Sequence, residues 1–307
     1  MQELADAIAQ TPTGDIDVET ARAKVNLTLH VLSRRAGGYH TIESLAVFPD
    51  LADRVGAAPS PNGRTDLALD GEFAAELDLL SSPRDNLVLH AAEALRQAAR
   101  KRLQPLHFAL TKRIPIASGL GGGSADAAAT LRLLNRHWGL RLKDSELARI
   151  GLELGADVPM CIASKPVVAT GIGERLSPAA SIPDLPLVLV NPRFPLSTAS
   201  VFRELKGSER SPMLPIQAKF RSVIAFVIWL RQTRNDLSEP ARSVTNLAER
   251  AVKALSSDPD CMFARMSGSG PTAFGIFAKM SNAERAAERI RQKRPHWWVV
   301  ATEAKGS

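Results

Sequence analysis

The sequence predicts an α+β protein of two domains. Helix-like and strand-like segments are mixed in both halves of the 307-residue chain, without the repeated βαβ unit of a parallel sheet. A hydrophobic content of 45% is enough to build two cores. The Pro-rich stretch PAASIPDLP at 178–186 punctuates the pattern a little past its middle. The expected division is a polar extension over 1–20, a first domain over 21–175 and a second over 176–307, whose last strand is allowed to return to the first.

ARAKVNLTLHVL at 21–32 alternates in the manner of a half-buried strand, SRRAGGYH at 33–40 reads as a turn, and TIESLAVF at 41–48 continues as a strand. A Pro-, Gly- and Asp-rich loop is expected near 56–66. NLVLHAAEALRQAARK then has helical spacing over 86–101 with a basic end suited to a helix C-terminus. PLHFALTKRI at 105–114 reads as a strand, and a glycine loop leads from it into a helix beginning near Ser124. DSELARIGLELG at 144–155 is a further helix, with Asp144 as N-cap and Gly155 as its stop. KPVVATGIGERLSP at 165–178 suggests a hairpin. Beyond the Pro-rich stretch, the pattern gives a strand at 186–191, helices around 217–234 and 243–256, a strand at 272–277, a helix over 282–294 and a strand at 297–302.

Composition narrows the function classes. The first 21 residues hold five acidic side chains and no Lys or Arg, unlike the start of a signal peptide. The most apolar run, SVIAFVIWL at 222–230, is far short of the ~20 residues a membrane span needs. Cys161 and Cys261 form no spacing motif and read as reduced thiols, which points to the cytoplasm. The net charge of +7 is compatible with nucleic acid, a membrane surface or small polyanions. Lys and Arg are spread along the chain without interleaved aromatic residues, which favours small anionic ligands over an RNA surface. The other histidines, 30, 90, 107, 137 and 296, show no metal-ligand spacing.

The stretch PIASGLGGGSA at 115–125 carries most of the chemical signal. Glycines 119, 121, 122 and 123 remove the Cβ atoms that would hold a ligand off the backbone, so successive N–H groups can surround phosphate oxygens. A helix starting at Ser124 aims its unpaired N–H groups at the same place. No lysine follows the loop, as a Walker sequence requires, and Ser124 stands where a Rossmann fingerprint has its third glycine. A glycine turn without a ligand is the plain alternative.

This loop resembles the P-x-x-x-G-L-G-[GS]-[GS]-S sequence of the GHMP kinases. AKVNLTLHVLSRRAGGYHTIES, GADVPMCI, ATGIGERL, RNDL and MSGSGPTAFGIF are similar to the branch of that superfamily that serves the nonmevalonate isoprenoid pathway, in the same order from about 21 to 277. NDLSEPA carries one residue more than the usual N-D-L-E-P, and the stretch 206–233 has no counterpart that we recognise.

The resemblance implies an N-terminal GHMP β/α domain and a C-terminal ferredoxin-like domain flanking an active-site cleft. It implies ATP and Mg²⁺, with phosphate held by Pro115, Ile116, Ala117, Ser118, Gly119, Leu120, Gly121, Gly122, Gly123, Ser124 and Ala125. The acceptor would be a cytidine diphosphate-linked sugar alcohol, and no nucleic acid or membrane partner is implied. A monomer or a homodimer fits equally well.

Spacing alone reads Asp157 as a turn residue just past a helix C-terminus, because Pro159 disfavours helix at Val158, and a helix dipole opposes a carboxylate there. It reads Lys24 as one solvated position of a strand. The resemblance makes them a catalytic pair, with Asp157 as base and Lys24 holding it ionised. Ser124 is a candidate Mg²⁺ ligand, with helix N-capping the competing role. Lys112 and Arg113 read as a solvated pair that could add positive field. Tyr39 would stack on the cytosine and His40 read its polar edge, Phe202 would cover the other face, and Thr198 and Asn26 would contact the substrate. A core Phe is the plain alternative at 202. SGSG at 267–270 is either a second ligand loop or a hairpin turn. A homoserine- or mevalonate-type kinase and a noncatalytic RNA-binding module remain as alternatives.

Overall fold

Pairing partners change abruptly between Ala23 and Lys24, and that change organises the chain. The Ala23 amide donates to the Leu51 carbonyl, and the Lys24 amide donates to the Leu120 carbonyl. The segment expected as one strand is therefore three: β1 (Asp17–Arg22), β2 (Val25–Asn26) and β3 (His30–Arg34). The computed structural model describes residues 17–34, 40–60, 62–80, 82, 85–99, 103–179, 181–207 and 210–306. The chain divides into two interleaved units. One takes 1–23, 51–116 and 122–164, and the other takes 24–50, 117–121 and 165–307.

In the first unit β5 (Ala52–Pro59) lies between β1 and β7 (Leu106–Thr111), antiparallel to both, and β6 (Asp66–Asp70) adds in parallel to β7. Gly56, Ala57, Ala58 and Pro59 have poor strand propensity, so the expected loop began too early. Pairing on both edges overrides that preference, and only 60–65 connects β5 to β6. Helix α1 (Ala74–Leu80) buries no side chain and so left no periodic signal. Helices α2 (Leu87–Ala99), α3 (Gly122–His137), α4 (Asp144–Leu154) and α5 (Val158–Ala163) complete this unit. The α4 N-cap is Lys143 rather than Asp144, with the Glu146 carboxylate accepting from the Lys143 amide at 2.9 Å.

The second unit holds two sheets. β2 and β3 pair with β4 (His40–Val47), which continues to β8 (Val167–Gly171) and β9 (Arg175–Pro178). The other sheet is antiparallel, in the order β11 (Cys261–Met266), β12 (Ala273–Phe277), β10 (Leu185–Asn191), β13 (Trp298–Ala304). Helices α6 (Thr198–Arg203), α7 (Val223–Leu230), α8 (Ser238–Val244), α9 (Leu247–Ser256) and α10 (Met280–Lys293) accompany them. The α9 and α10 faces carrying Ala251, Leu255, Ala283, Ala287 and Ile290 pack on Val188, Val190 and Phe277. The expected helix over 217–234 shrinks to the eight residues of α7, capped by the Ser222 hydroxyl, which accepts from the Ala225 amide. The expected helix over 243–256 breaks where Thr245 turns extended at φ −156°. Among the described residues no helix is long and apolar enough to cross a membrane.

Asp236, in the RNDL motif, is the main polar tie inside this unit. Its carboxylate accepts from the Val31 amide (2.8 Å), the Arg210 guanidinium (2.9 Å) and the Arg234 Nε (2.7 Å). Burial alone would raise its pKa, but the Arg234, Val31 and Arg210 donors outweigh burial and hold it below the ordinary carboxylate value. Its stabilising contribution is therefore present above the unfolded carboxylate value and is lost as pH falls through the lower folded one. Asp236→Ala is expected to cost on the order of 2 kcal/mol in urea unfolding at pH 7. The gap to the parent protein should narrow below about pH 4.

Candidate active site

The glycine loop is built from alternating left-handed residues, Ala117 (φ 47°), Gly119 (φ 78°) and Gly121 (φ 65°). Ala117 holds that conformation against its own Cβ, which requires support from the surroundings. The support comes through the carbonyls. Those of Ala117, Ser118, Gly119 and Leu120 accept, respectively, from the Leu196 amide, the Thr272 amide, the Ser267 hydroxyl and the Lys24 amide, all at 2.9–3.1 Å. With these oxygens tied into the protein, the N–H side of the loop is left for an anion. Among the described residues, the buried Ser118 hydroxyl has no hydrogen-bond partner. Two of the glycines are sterically required: a Cβ on Gly119 would lie 2.5 Å from the Ser267 carbonyl oxygen, and one on Gly121 would lie 2.7 Å from the Lys24 Cγ.

Helix α3 begins at Gly122, two residues before the expected start, so Ser124 lies inside its first turn and is not its N-cap. The buried face of α3 includes Ala125, Ala127, Ala128 and Ala129. Close packing of these small side chains also buries Asp126, whose Oδ2 accepts from the Lys112 Nζ at 2.8 Å. Lys112 also donates to Asp53, at 2.5 Å, and Asp53 in turn accepts from the Arg113 and Ile114 amides. Lys112 is 2% exposed, so its expected place in a solvated pair is corrected: it is an internal ion pair. Burial would lower its pKa, but the charges of Asp126 and Asp53 outweigh burial and raise it. Burial is also the first cause holding the Asp126 carboxyl above its ordinary range. Asp53 and Asp126 were missed from sequence. The available signal was an Asp in phase with Val55 and Ala57 on a buried strand face, and another Asp inside an alanine face.

Lys24 is 6% exposed, and its Nζ donates to the Asn26 Oδ1 at 2.6 Å. Asn26 is engaged at three points, since its Nδ2 donates to Ser44 and its amide to the Ser267 hydroxyl. His40 and Phe202 stack on each other with ring centroids 5.1 Å apart at 25°. Burial, then the Arg34 charge, hold the His40 imidazole below its ordinary pKa. Thr198 and Phe202 stand one helical turn apart on α6, and the Thr198 hydroxyl is 2.8 Å from that of Ser269. The SGSG segment thus meets the glycine loop through Ser267 and α6 through Ser269. Tyr39 lies outside the described residues.

Asp157 lies in the short turn just past α4, as expected, but Val158 is helical. Asp157 directly precedes α5, where Pro159 occupies the first turn and its missing N–H costs nothing. The dipole argument from sequence therefore fails on local structure, because Asp157 sits at a helix start. The Ser124 hydroxyl lies 3.9 Å from where a Gly155 Cβ would be, so the first turn of α3 and the turn leading to Asp157 are neighbours within the first unit. Among the described residues no three His, Cys, Asp or Glu side chains gather as a metal cage.

A fold of these two units with a left-handed glycine loop opening a helix is that of the GHMP kinases. Residues 86–165 match the family model described as the GHMP kinases N terminal domain, and 229–296 match the GHMP kinases C terminal model. The chain is 47% identical over 290 residues to 4-diphosphocytidyl-2-C-methyl-D-erythritol kinase of Mesorhizobium japonicum, covering 94% of this chain and 95% of that one. It is 43% identical over 288 residues to the protein of that name from Chelativorans sp., covering 94% and 96%. A crystal structure of 4-(cytidine 5'-diphospho)-2C-methyl-D-erythritol kinase superposes with a TM-score of 0.76 at 31% identity, covering 94% of this chain and all of that one. Homoserine kinase from Cytophaga hutchinsonii shares the fold at 17% identity, with a TM-score of 0.65. The chain belongs to the 4-diphosphocytidyl-2-C-methyl-D-erythritol kinase family, and it is an ATP-dependent kinase.

Gly119→Ala combines a left-handed φ with a clash against backbone that cannot rotate away. It is expected to cost roughly 1–3 kcal/mol of stability. Isothermal titration should show ATP affinity falling by at least about tenfold, since only a displaced loop accommodates the methyl group.

Proposed function

We propose that the protein transfers the γ-phosphoryl group of ATP to the 2-hydroxyl of 4-diphosphocytidyl-2-C-methyl-D-erythritol, giving the 2-phosphate and ADP. The observation that carries the reading is the buried ammonium of Lys24 packed on the glycine loop. Its backbone amide binds the Leu120 carbonyl, and its side chain fills the space that a Cβ on Gly121 would need. A lysine in that position brings positive charge to a loop whose free side is lined with N–H groups.

Asp157 accepts the proton of the attacking hydroxyl, the hydroxyl oxygen bonds to the γ-phosphorus, and the bond to the ADP oxygen breaks. Phosphoryl transfer runs through a loose transition state, so orientation and charge on the equatorial oxygens matter more than the strength of the base. Lys24 supplies charge to that state. The amides of 118–123 and the buried Ser118 hydroxyl, which has no hydrogen-bond partner among the described residues, receive phosphate oxygens.

Mg²⁺ fits the chemistry of these residues: Ser124 has a hydroxyl not committed to helix capping, and the phosphates themselves provide the remaining oxygens. When bound, the ion neutralises charge between the β and γ phosphates. Tyr39 would stack on one face of the cytosine, His40 would read its polar edge and Phe202, whose ring is stacked on that of His40, would cover the other face, with Thr198 and Asn26 contacting the same substrate. We assign the protein to the cytoplasm, acting as a monomer or homodimer on a small-molecule substrate.

A panel of alcohols with ATP and Mg²⁺, including homoserine, mevalonate and the cytidyl compound, tests the reading. Turnover of only the first two would overturn it. Lys24→Ala and Asp157→Asn should each lower kcat by roughly 10²- to 10⁴-fold. Their melting temperatures should stay close to that of the parent, and near-normal turnover in either variant would remove that residue from the mechanism.

A further inference from the structure

Hydrogen-bond direction around Asn26 assigns a role to a residue that no part of the motif reading singled out. The Ser44 hydroxyl lies 2.6 Å from the Thr28 carbonyl oxygen, to which it donates. A carbonyl only accepts, so the single Ser44 proton is committed to it. The same Ser44 oxygen is 2.8 Å from the Asn26 Nδ2, and with its proton elsewhere it can only accept. The amide NH₂ of Asn26 is therefore fixed on the Ser44 side, and its Oδ1 is fixed on the Lys24 side, where it accepts from the ammonium at 2.6 Å.

A flipped Asn26 would aim two N–H donors at an ammonium that has only donors. Ser44 is fully buried, Asn26 is 3% exposed, and the position next to the Oδ1 is closed by Gly268, whose added Cβ would come within 3.0 Å of it. Water exchange does not relieve a wrong orientation in such a place. The Asn26 backbone is held separately, because the Ser267 hydroxyl donates to the Gly119 carbonyl and accepts from the Asn26 backbone N–H.

We propose that Ser44 is a positioning residue for phosphoryl transfer, setting the orientation of the Asn26 carboxamide so that its oxygen holds the Lys24 ammonium against the glycine loop. The proposal rests on the assignment of Lys24 to the reaction. Neither Ser44 nor Asn26 needs to touch ATP for it to hold, and Asn26 acts here through Lys24.

The test is steady-state kinetics and thermal melting of the full chain for Ser44→Ala, Ser44→Cys, the double variant Ser44→Ala/Asn26→Asp, and Lys24→Met. Ser44→Ala is expected to lower kcat roughly 10- to 100-fold through misplacement of the ammonium. The KM for ATP should remain within about twofold, because the loop amides that bind phosphate are unchanged. The double variant should recover several-fold over Ser44→Ala, since a carboxylate offers Lys24 an acceptor in either orientation. Should Ser44→Ala fail to fold, Ser44→Cys decides the same question: it keeps a donor for Thr28 but is a poor acceptor for Asn26, and it should lose kcat likewise. A lower melting temperature with intact kcat in the folded variants, or no recovery in the double variant, overturns the proposal. Normal turnover in Lys24→Met overturns the Lys24 assignment itself, whereas an inactive Lys24→Met beside a normal Ser44→Ala overturns only the role of Ser44.

Discussion

A lysine ammonium with no route to water fixes the geometry of the first unit. Lys112 directly follows β7, is 2% exposed, and bridges Asp53 on β5 to Asp126 near the start of α3. Desolvating three charged groups is unfavourable unless each is paired, so none of the elements carrying them can move alone without leaving a buried charge behind. The same ammonium comes within 3.3 Å of where a Gly122 Cβ would be, which accounts for glycine at the first residue of α3. Asp53 also accepts the Arg113 and Ile114 amides, so the chain leaving β7 toward the loop is held by the same carboxylate. The start of α3 is thus held in place by this buried charge network.

The sequence was most legible where local geometry forces composition. Four glycines in PIASGLGGGSA marked a backbone that a ligand approaches, and the structure places left-handed residues at Gly119 and Gly121. Ala117 has the same sign of φ with no glycine to announce it, so its conformation, imposed through the Leu196 contact, could not be read. Strands β5 and β6 and helix α1 were passed over for a related reason. Small or exposed residues fill them, and their existence depends on pairing partners far along the chain. The clearest reversal is Asp157, where Pro159 was read as a helix breaker. It stands in the first turn of α5, the one helical position where proline is at home.

Partnerships were the least legible level. Lys24 looked like one polar position of an alternating strand, and its burial beside Asn26 depends on residues 28, 44 and 267. Lys112 looked like half of a solvated basic pair, yet its charge is absorbed by two carboxylates, one on each side in sequence and 59 and 14 residues away. A basic side chain near a phosphate loop is thus no evidence of a phosphate contact until its counter-charges are known.

That distinction bears on how a loop without a Walker lysine can hold a triphosphate. Lys112 is the lysine nearest in sequence to the loop, and its charge is already matched inside the first unit, so it contributes little net field at the phosphates. What remains is the row of amides freed by tying down the carbonyls of 117–120, the first turn of α3, and the upstream Lys24, whose ammonium donates to the Asn26 amide oxygen. The Asn26 carboxamide orients the Lys24 ammonium through its oxygen. The two lysines are both buried and both oriented by hydrogen bonds, Lys112 by two carboxylates within the first unit and Lys24 by a carboxamide beside the glycine loop, so burial alone does not mark the lysine that serves the chemistry.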